Sequence, residues 1–140
     1  MPESSRTSLE RGLASVVVGL VVAAVMIITV EPTLRSFYPV PQPGPGLSVE
    51  RSQEMMASLP RFTFTLLWGL YAGASLVGGV AATLISGRVK SWPALTTGLV
   101  LMVAGTFGVL TVYQPLWFRL ASLFTFPMAY LGYLMVRKTA

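Results

Sequence analysis

The chain has 140 residues, of which 54% are hydrophobic and 11% charged, whereas about 25% of the residues in an average soluble domain are charged. Its formal net charge is +5, and it contains no cysteine, no histidine and no aspartate. This composition argues against a soluble fold and excludes disulfides, thiol nucleophiles, Ser-His-Asp catalysis, and haem or zinc ligation through Cys or His.

The charged residues lie in short segments separated by four uncharged runs of 17 to 28 residues. A helix needs about 20 apolar residues to cross the hydrocarbon core of a bilayer. The pattern therefore predicts an all-α membrane protein, a single domain over residues 1–140 with four transmembrane helices in an antiparallel bundle. The expected spans cover about 12–31, 62–86, 92–113 and 116–136.

The first connection, residues 32–61, is the only long one. The first helix is expected to continue for about a turn beyond Pro32, which can kink it. Residues 40–46 hold three prolines and two glycines, which predicts an extended tether. Ser48 is a suitable N-cap for a segment with one apolar side, so a short helix over 48–58 is expected to lie on the membrane surface.

The two remaining connections are short. Residues 87–91 turn the second span into the third, and Gln114-Pro115 leaves room only for a tight hairpin between the third and the fourth. Pro127 is expected to kink the fourth span, because proline removes a backbone donor. A carbonyl near Leu123 would then be free for a neighbouring hydroxyl or helix.

Basic residues are divided unevenly between the two sides of such a bundle. Six lie on the side of the two termini and four on the other side. The positive-inside rule therefore predicts cytoplasmic termini and places the long connection outside.

Small residues recur at three- and four-residue spacing in every span. Because lipid tails are as apolar as leucine, close approach of backbones must hold such helices together. We expect these positions to pack inside the bundle, a dimer contact or a substrate groove being the alternative. The predicted packing positions are Gly19, Gly69, Gly73, Gly79, Gly105 and Gly108.

Charged residues at the outer end predict a polar cluster of Glu31, Arg35, Arg61 and Arg119. Glu31 closes the first span and Arg119 lies about one turn inside the fourth, so an Arg–carboxylate contact at similar depth would satisfy both groups. Three alternatives stay open. Arg35 can pair with Glu31 along the helix, Arg61 begins the second span on the same side, and Arg119 can snorkel to phosphates.

Several motifs together resemble a family of small four-helix bacterial membrane proteins. The resemblance implies this architecture and a bacterial source, and it carries no established activity. A multi-pass protein of this kind is expected in the bacterial inner membrane. The motifs are Glu31 at the end of the first span, Tyr38-Pro39, Leu59-Pro60, Gly78-Gly79-Val80-Ala81-Ala82 and Pro115-Leu116-Trp117-Phe118.

Three classes of function are compatible with the sequence. The first is a structural or accessory protein, which either self-associates or is part of a larger membrane complex. Its partners are the bilayer and a membrane protein. It requires no catalytic residue, cofactor or nucleic acid. A transporter or channel formed by oligomers is the alternative. The small multidrug-resistance exporters are similar in size, but they carry a glutamate in the middle of the first span. In this chain, residues 16–30 of the first span contain no ionisable group. An enzyme acting on lipid is the least expected, because four-span glutathione-dependent enzymes use His and Asn, which this chain lacks.

Overall fold

The computed structural model describes residues 3–37, 46, 48–111 and 115–138. All regular structure in these residues is helical, and the long helices pack into a bundle. Most of the predicted tether, Tyr38-Pro39 and Gln114 lie outside the described residues. The helices are α1 (Glu3–Phe37), α2 (Val49–Ala57), α3 (Arg61–Ser86), α4 (Trp92–Thr111), α5 (Leu116–Ser122) and α6 (Thr125–Val136).

The first helix is much longer than the predicted span. α1 begins at Glu3 and continues through Pro32 to Phe37, which makes it about 52 Å long at 1.5 Å per residue. The mostly polar residues 3–11 extend the helix by about two and a half turns. Beyond Pro32 the helix continues, as predicted, and an ion pair between Glu31 and Arg35 spans the proline.

The short helix α2 lies within the predicted range, and Ser48 caps it. The Arg51 backbone N–H donates to the Ser48 hydroxyl over 3.3 Å. The described side chains of α2 are all exposed. Leu59, which follows α2, packs against Phe64, Leu67 and Phe118.

The helix α3 forms the centre of the bundle, because it contacts α1, α4, α5 and α6. Of its most apolar 18 residues, 44% are buried, against 22% for α1 and 17% for the α5–α6 segment. α3 is followed by Gly87, whose backbone adopts the left-handed conformation with a φ of 94°. The backbone N–H groups of Gly87 and Arg88 donate to Leu84 and Thr83, the pattern of a Schellman motif.

The expected fourth span is broken rather than continuous. Leu123 and Phe124 separate α5 from α6, and their N–H groups donate to carbonyls three residues back, over 3.2 and 3.0 Å. The break lies just before Pro127, because proline cannot donate to the carbonyl four residues earlier and its ring crowds that carbonyl.

Among the described residues, three helical segments are long and apolar enough to cross a membrane by length and composition. They are Arg6–Phe37, Arg61–Ser86 and Leu116–Val136. A fourth apolar segment, Trp92–Phe107, is shorter, although α4 itself has 20 residues.

Candidate functional site

The bundle has two distinct ends. At the turn end, residues 87–91 join α3 to α4, and α1 begins and α6 finishes beside them. At the loop end, α1 finishes and α3 and α5 begin. The predicted polar cluster lies at the loop end.

Glu31 is paired with Arg35, one turn further along α1. Arg35 Nη2 lies 2.5 Å and Nε 2.9 Å from the same carboxylate oxygen. The Glu31 side chain is 19% exposed and the Arg35 side chain 33%. The pair is therefore the i,i+4 contact that the sequence offered as an alternative to Glu31–Arg119. It is the ion pair found in the described part of the chain.

Tyr71 of α3 completes this cluster, and the sequence did not single it out. Its hydroxyl lies beside the Glu31 carboxylate. The carboxylate thus accepts hydrogen bonds from a guanidinium on its own helix and faces a phenol on the neighbouring helix α3. The sequence does contain a signal for Tyr71, because it is a tyrosine among the small residues of the second span. A buried tyrosine hydroxyl needs a hydrogen-bond partner.

The expected contact between Glu31 and Arg119 is not formed. The ion pair of Glu31 is with Arg35, and Tyr71 of α3, which lies beside Glu31, also packs against the cluster that contains Phe118. Arg119 and Arg61 are exposed, and neither has an ion pair among the described residues. The predicted group of four is thus reduced to Glu31 and Arg35, with Tyr71 added.

Aromatic residues pack α5 against α3 near Glu31, Arg35 and Tyr71. The Phe64 ring meets Phe118 and Trp117 edge-on, with centroids 5.6 and 6.1 Å apart. Phe64 and Phe118 are 3% and 2% exposed. Edge-to-face pairs of this kind add stability beyond the area they bury.

Two side chains of α3 bind carbonyl groups next to the break in the fourth span. Trp68 Nε1 donates to the Ala121 carbonyl over 2.7 Å, and the Ser75 hydroxyl donates to the Thr125 carbonyl over 2.6 Å. A neighbouring helix therefore engages carbonyls near Leu123, as the sequence predicted, and these are the carbonyls of Ala121 and Thr125, two residues to either side.

The predicted packing glycines divide into close contacts and open positions. A Cβ atom placed on Gly19 would lie 2.7 Å from the Gly78 carbonyl oxygen, and one on Gly79 would overlap the Ala129 backbone. Gly73 has room, with the Met26 methyl group at 3.5 Å.

Two of the predicted glycines do not lie at helix contacts. Among the described residues, no heavy atom outside the helix's own backbone lies within 4 Å of the Cβ position of Gly69 or of Gly105. Gly69 lies on an exposed side of α3, and the whole stretch 103–107 of α4 is exposed. The surroundings of Gly108 lie outside the described residues.

Three buried hydroxyl groups in the middle of the bundle are satisfied within their own helices. Ser15, Thr83 and Thr97 are fully buried. They donate to the carbonyls of Gly12, Gly79 and Pro93 over 2.6 to 2.8 Å. These groups therefore offer no polar lining to a ligand.

Comparison with models of protein families, with curated proteins and with solved structures gave no match. Membership of the family of small four-helix bacterial membrane proteins stays a prediction. The function has to be argued from the geometry of the bundle.

Proposed function

We propose that the protein is a structural or accessory membrane protein that crosses the bacterial inner membrane four times and assembles with a partner, either a larger membrane complex or further copies of itself. The observation that carries this proposal is the change in packing along α4. Pro93, Ala94, Thr97 and Gly98 are buried among the other helices, whereas every residue from 103 to 107 is exposed.

The exposed part of α4 suits a contact with another helix. It combines a glycine that has open space around it with Val103 and Phe107, which are 44% and 67% exposed. Small residues let helix backbones approach each other in a membrane, and large neighbours supply packing area. Length supports a spanning helix here too, because 20 residues rise about 30 Å.

The closed interior favours this function over a transport path inside one copy. Gly19 and Gly78 bring α1 and α3 together backbone to backbone, and Gly79 does the same for α3 and α6. The buried hydroxyls between these contacts are already bonded. Conduction would need a polar, hydrated path, which these residues do not provide.

Site-specific photocrosslinking tests the proposal. A photoreactive residue at Phe107 should give one discrete protein adduct in native membranes, and the same adduct should be lost when Gly105→Trp fills the open position. The matched control is a photoreactive residue at Val21, which is 55% exposed on α1 and should give no discrete adduct. A Phe107 variant that labels only lipid would contradict the proposal.

The identity of the adduct then separates the possible assemblies. A different membrane protein at fixed stoichiometry would support an accessory subunit, and a second copy of this chain would support self-assembly. Solute flux in proteoliposomes that contain only this chain would instead support the alternative of an oligomeric transporter or channel.

Both termini are proposed to be cytoplasmic, which would make the turn end the inner end. Six of the ten basic residues lie there, and the positive-inside rule supports this orientation. Topology reporters fused after Lys90 and after Lys138 should both report the cytoplasm. A periplasmic signal from either fusion would reverse the assignment.

A further inference from the structure

Three separate parts of the chain meet at the turn end. Arg11 Nε of α1 donates to the Ile85 carbonyl over 3.0 Å, and Lys90 Nζ donates to the Ser8 hydroxyl over 2.8 Å. On the other side, the Lys138 backbone N–H donates to the Arg88 carbonyl over 3.1 Å. The start of α1, the turn and the residues after α6 therefore form one connected surface.

Basic side chains dominate this surface. We call it the basic cluster, and all its members are exposed. Among the described residues, each of the contacts above uses at most one donor of a side chain, so Arg11 keeps both Nη groups and Lys90 keeps two N–H donors for other acceptors. The basic cluster consists of Arg11, Arg88, Lys90, Arg137 and Lys138.

Acidic groups do little to neutralise the basic cluster. Glu10 lies beside Arg11 and is exposed, but it forms no ion pair in the described residues. The side chain of Glu3 lies outside the described residues. At the loop end, by contrast, Arg35 is neutralised by Glu31.

Arg88 has an unusual backbone conformation. Its φ is 65°, in the left-handed region that few residues other than glycine adopt. The preceding Gly87 is also left-handed, and together they reverse the chain sharply. An exposed arginine is thus held in the turn between α3 and α4, close in sequence to Lys90 and hydrogen-bonded through its carbonyl to Lys138.

Aromatic residues lie just inside the basic cluster. Trp92 packs against Gly12, Tyr133 donates to the Val89 carbonyl over 3.4 Å, and the ring of Tyr130 stacks on that of Tyr133 with centroids 5.6 Å apart. Trp and Tyr concentrate at the membrane–water interface. The basic cluster therefore lies at the level of lipid headgroups if the bundle spans a bilayer.

We propose that the basic cluster is a binding site for the phosphate groups of anionic phospholipids. This inference rests on the proposed insertion into a membrane. Unpaired Arg and Lys side chains beside membrane helices attract anionic headgroups, and the forked guanidinium of Arg88 can hold a phosphate with two hydrogen bonds.

The test uses the full chain in lipid nanodiscs and counts bound lipid by native mass spectrometry. Nanodiscs of phosphatidylcholine mixed with phosphatidylglycerol should yield protein that retains phosphatidylglycerol. The triple variant Arg88→Gln/Lys90→Gln/Lys138→Gln should lower this retention about tenfold or more, since each basic residue near an anionic surface contributes substantially to binding. Retention should also fall as salt is raised.

The matched control removes three positive charges from the opposite end, with Arg51→Gln/Arg61→Gln/Arg119→Gln. This variant should retain phosphatidylglycerol at the level of the unchanged protein, and equal losses in the two variants would overturn the proposal. Unfolding temperatures in pure phosphatidylcholine should be alike for both variants, so that a loss of lipid is not a loss of fold.

Two further outcomes separate the possible failures. If inorganic phosphate added to pure phosphatidylcholine nanodiscs raises the unfolding temperature as much as phosphatidylglycerol does, the site takes a free anion and the lipid proposal is overturned. If the protein inserts but shows no preference for anionic lipid, this inference fails alone. If it does not insert, the proposed membrane function fails with it.

Discussion

The two halves of the bundle are held together in different ways, although the same helices run through both. In the turn half, small residues bring backbones into contact, as at Gly19 with Gly78 and at Gly79 with Ala129. In the loop half, bulky or polar side chains bridge wider gaps, as in the Phe64–Phe118 pair and the Tyr71–Glu31 contact.

This difference shows what a glycine contributes in a membrane helix. It allows a close contact only where a second backbone is near, as it is at Gly19, Gly78 and Gly79 in the turn half. Gly79 and Gly69 lie on the same helix, yet a Cβ atom on Gly79 would overlap the Ala129 backbone, whereas one on Gly69 would meet no atom of another described helix within 4 Å. Substitutions that remove contacts in one half or the other therefore test whether the two halves are packed differently.

The largest effect is expected from Gly79→Leu. Its side chain would overlap the Ala129 backbone, which cannot move without separating α3 from α6, so the free energy of unfolding should fall by about 3 kcal/mol. Gly69→Leu is the control on the same helix and should cost less than about 0.5 kcal/mol. Unfolding by SDS in mild detergent, followed by circular dichroism, measures both. Equal losses would mean that the two halves are packed alike.

The next effect concerns the hydrogen bonds that stabilise the broken fourth span. Ser75→Ala removes a fully buried hydroxyl that donates to the Thr125 carbonyl, and it should lower the free energy of unfolding by about 1 kcal/mol. Ser122→Ala is the control, because the Ser122 hydroxyl bonds within α5 and its loss should cost less than half as much. A Ser75→Ala variant as stable as the control would show that α3 does not support the break.

Much of the fold could be predicted because it depends on local patterns. The uncharged runs predicted the apolar helices, Ser48 predicted the start of α2, and Pro127 predicted a disturbance of the fourth span. The length of α1 could not be predicted in this way. Its first turns are polar and gain no support from hydropathy, but Arg11 and Ser8 bond to the chain around the turn.

The candidate site was harder to predict because it depends on which helices are neighbours. Similar depth suggested Glu31 with Arg119, but α1 packs against α3 and α4, and Tyr71 of α3 lies beside Glu31. Spacing within one helix, in contrast, correctly offered Arg35 as a partner of Glu31. Local pairs follow from sequence, whereas pairs between helices require the packing arrangement.

A smaller effect should come from the ion pair of the loop end. A double-mutant cycle with Glu31→Gln and Arg35→Gln should give a coupling of about 0.5 kcal/mol, the value typical of an i,i+4 pair that is partly exposed to solvent. The companion cycle with Glu31→Gln and Arg119→Gln should be additive, because these residues share no contact. Coupling in the second cycle that exceeds coupling in the first would place Arg119 in the cluster after all.

The smallest effect is expected from Gly105→Leu, and here an unchanged stability is the informative result. No heavy atom lies within 4 Å of the Cβ position of Gly105, so a leucine should leave the unfolding free energy of the isolated protein within about 0.5 kcal/mol of its original value. Gly98→Leu, two turns earlier on α4, should destabilise it strongly, because a Cβ atom there would lie 2.8 Å from the Phe126 carbonyl oxygen. If Gly105→Leu destabilises the isolated protein as much as Gly98→Leu, α4 is packed along its whole length and offers no free surface to a partner. If it leaves the isolated protein intact but abolishes the Phe107 crosslink, the open half of α4 is where the partner binds.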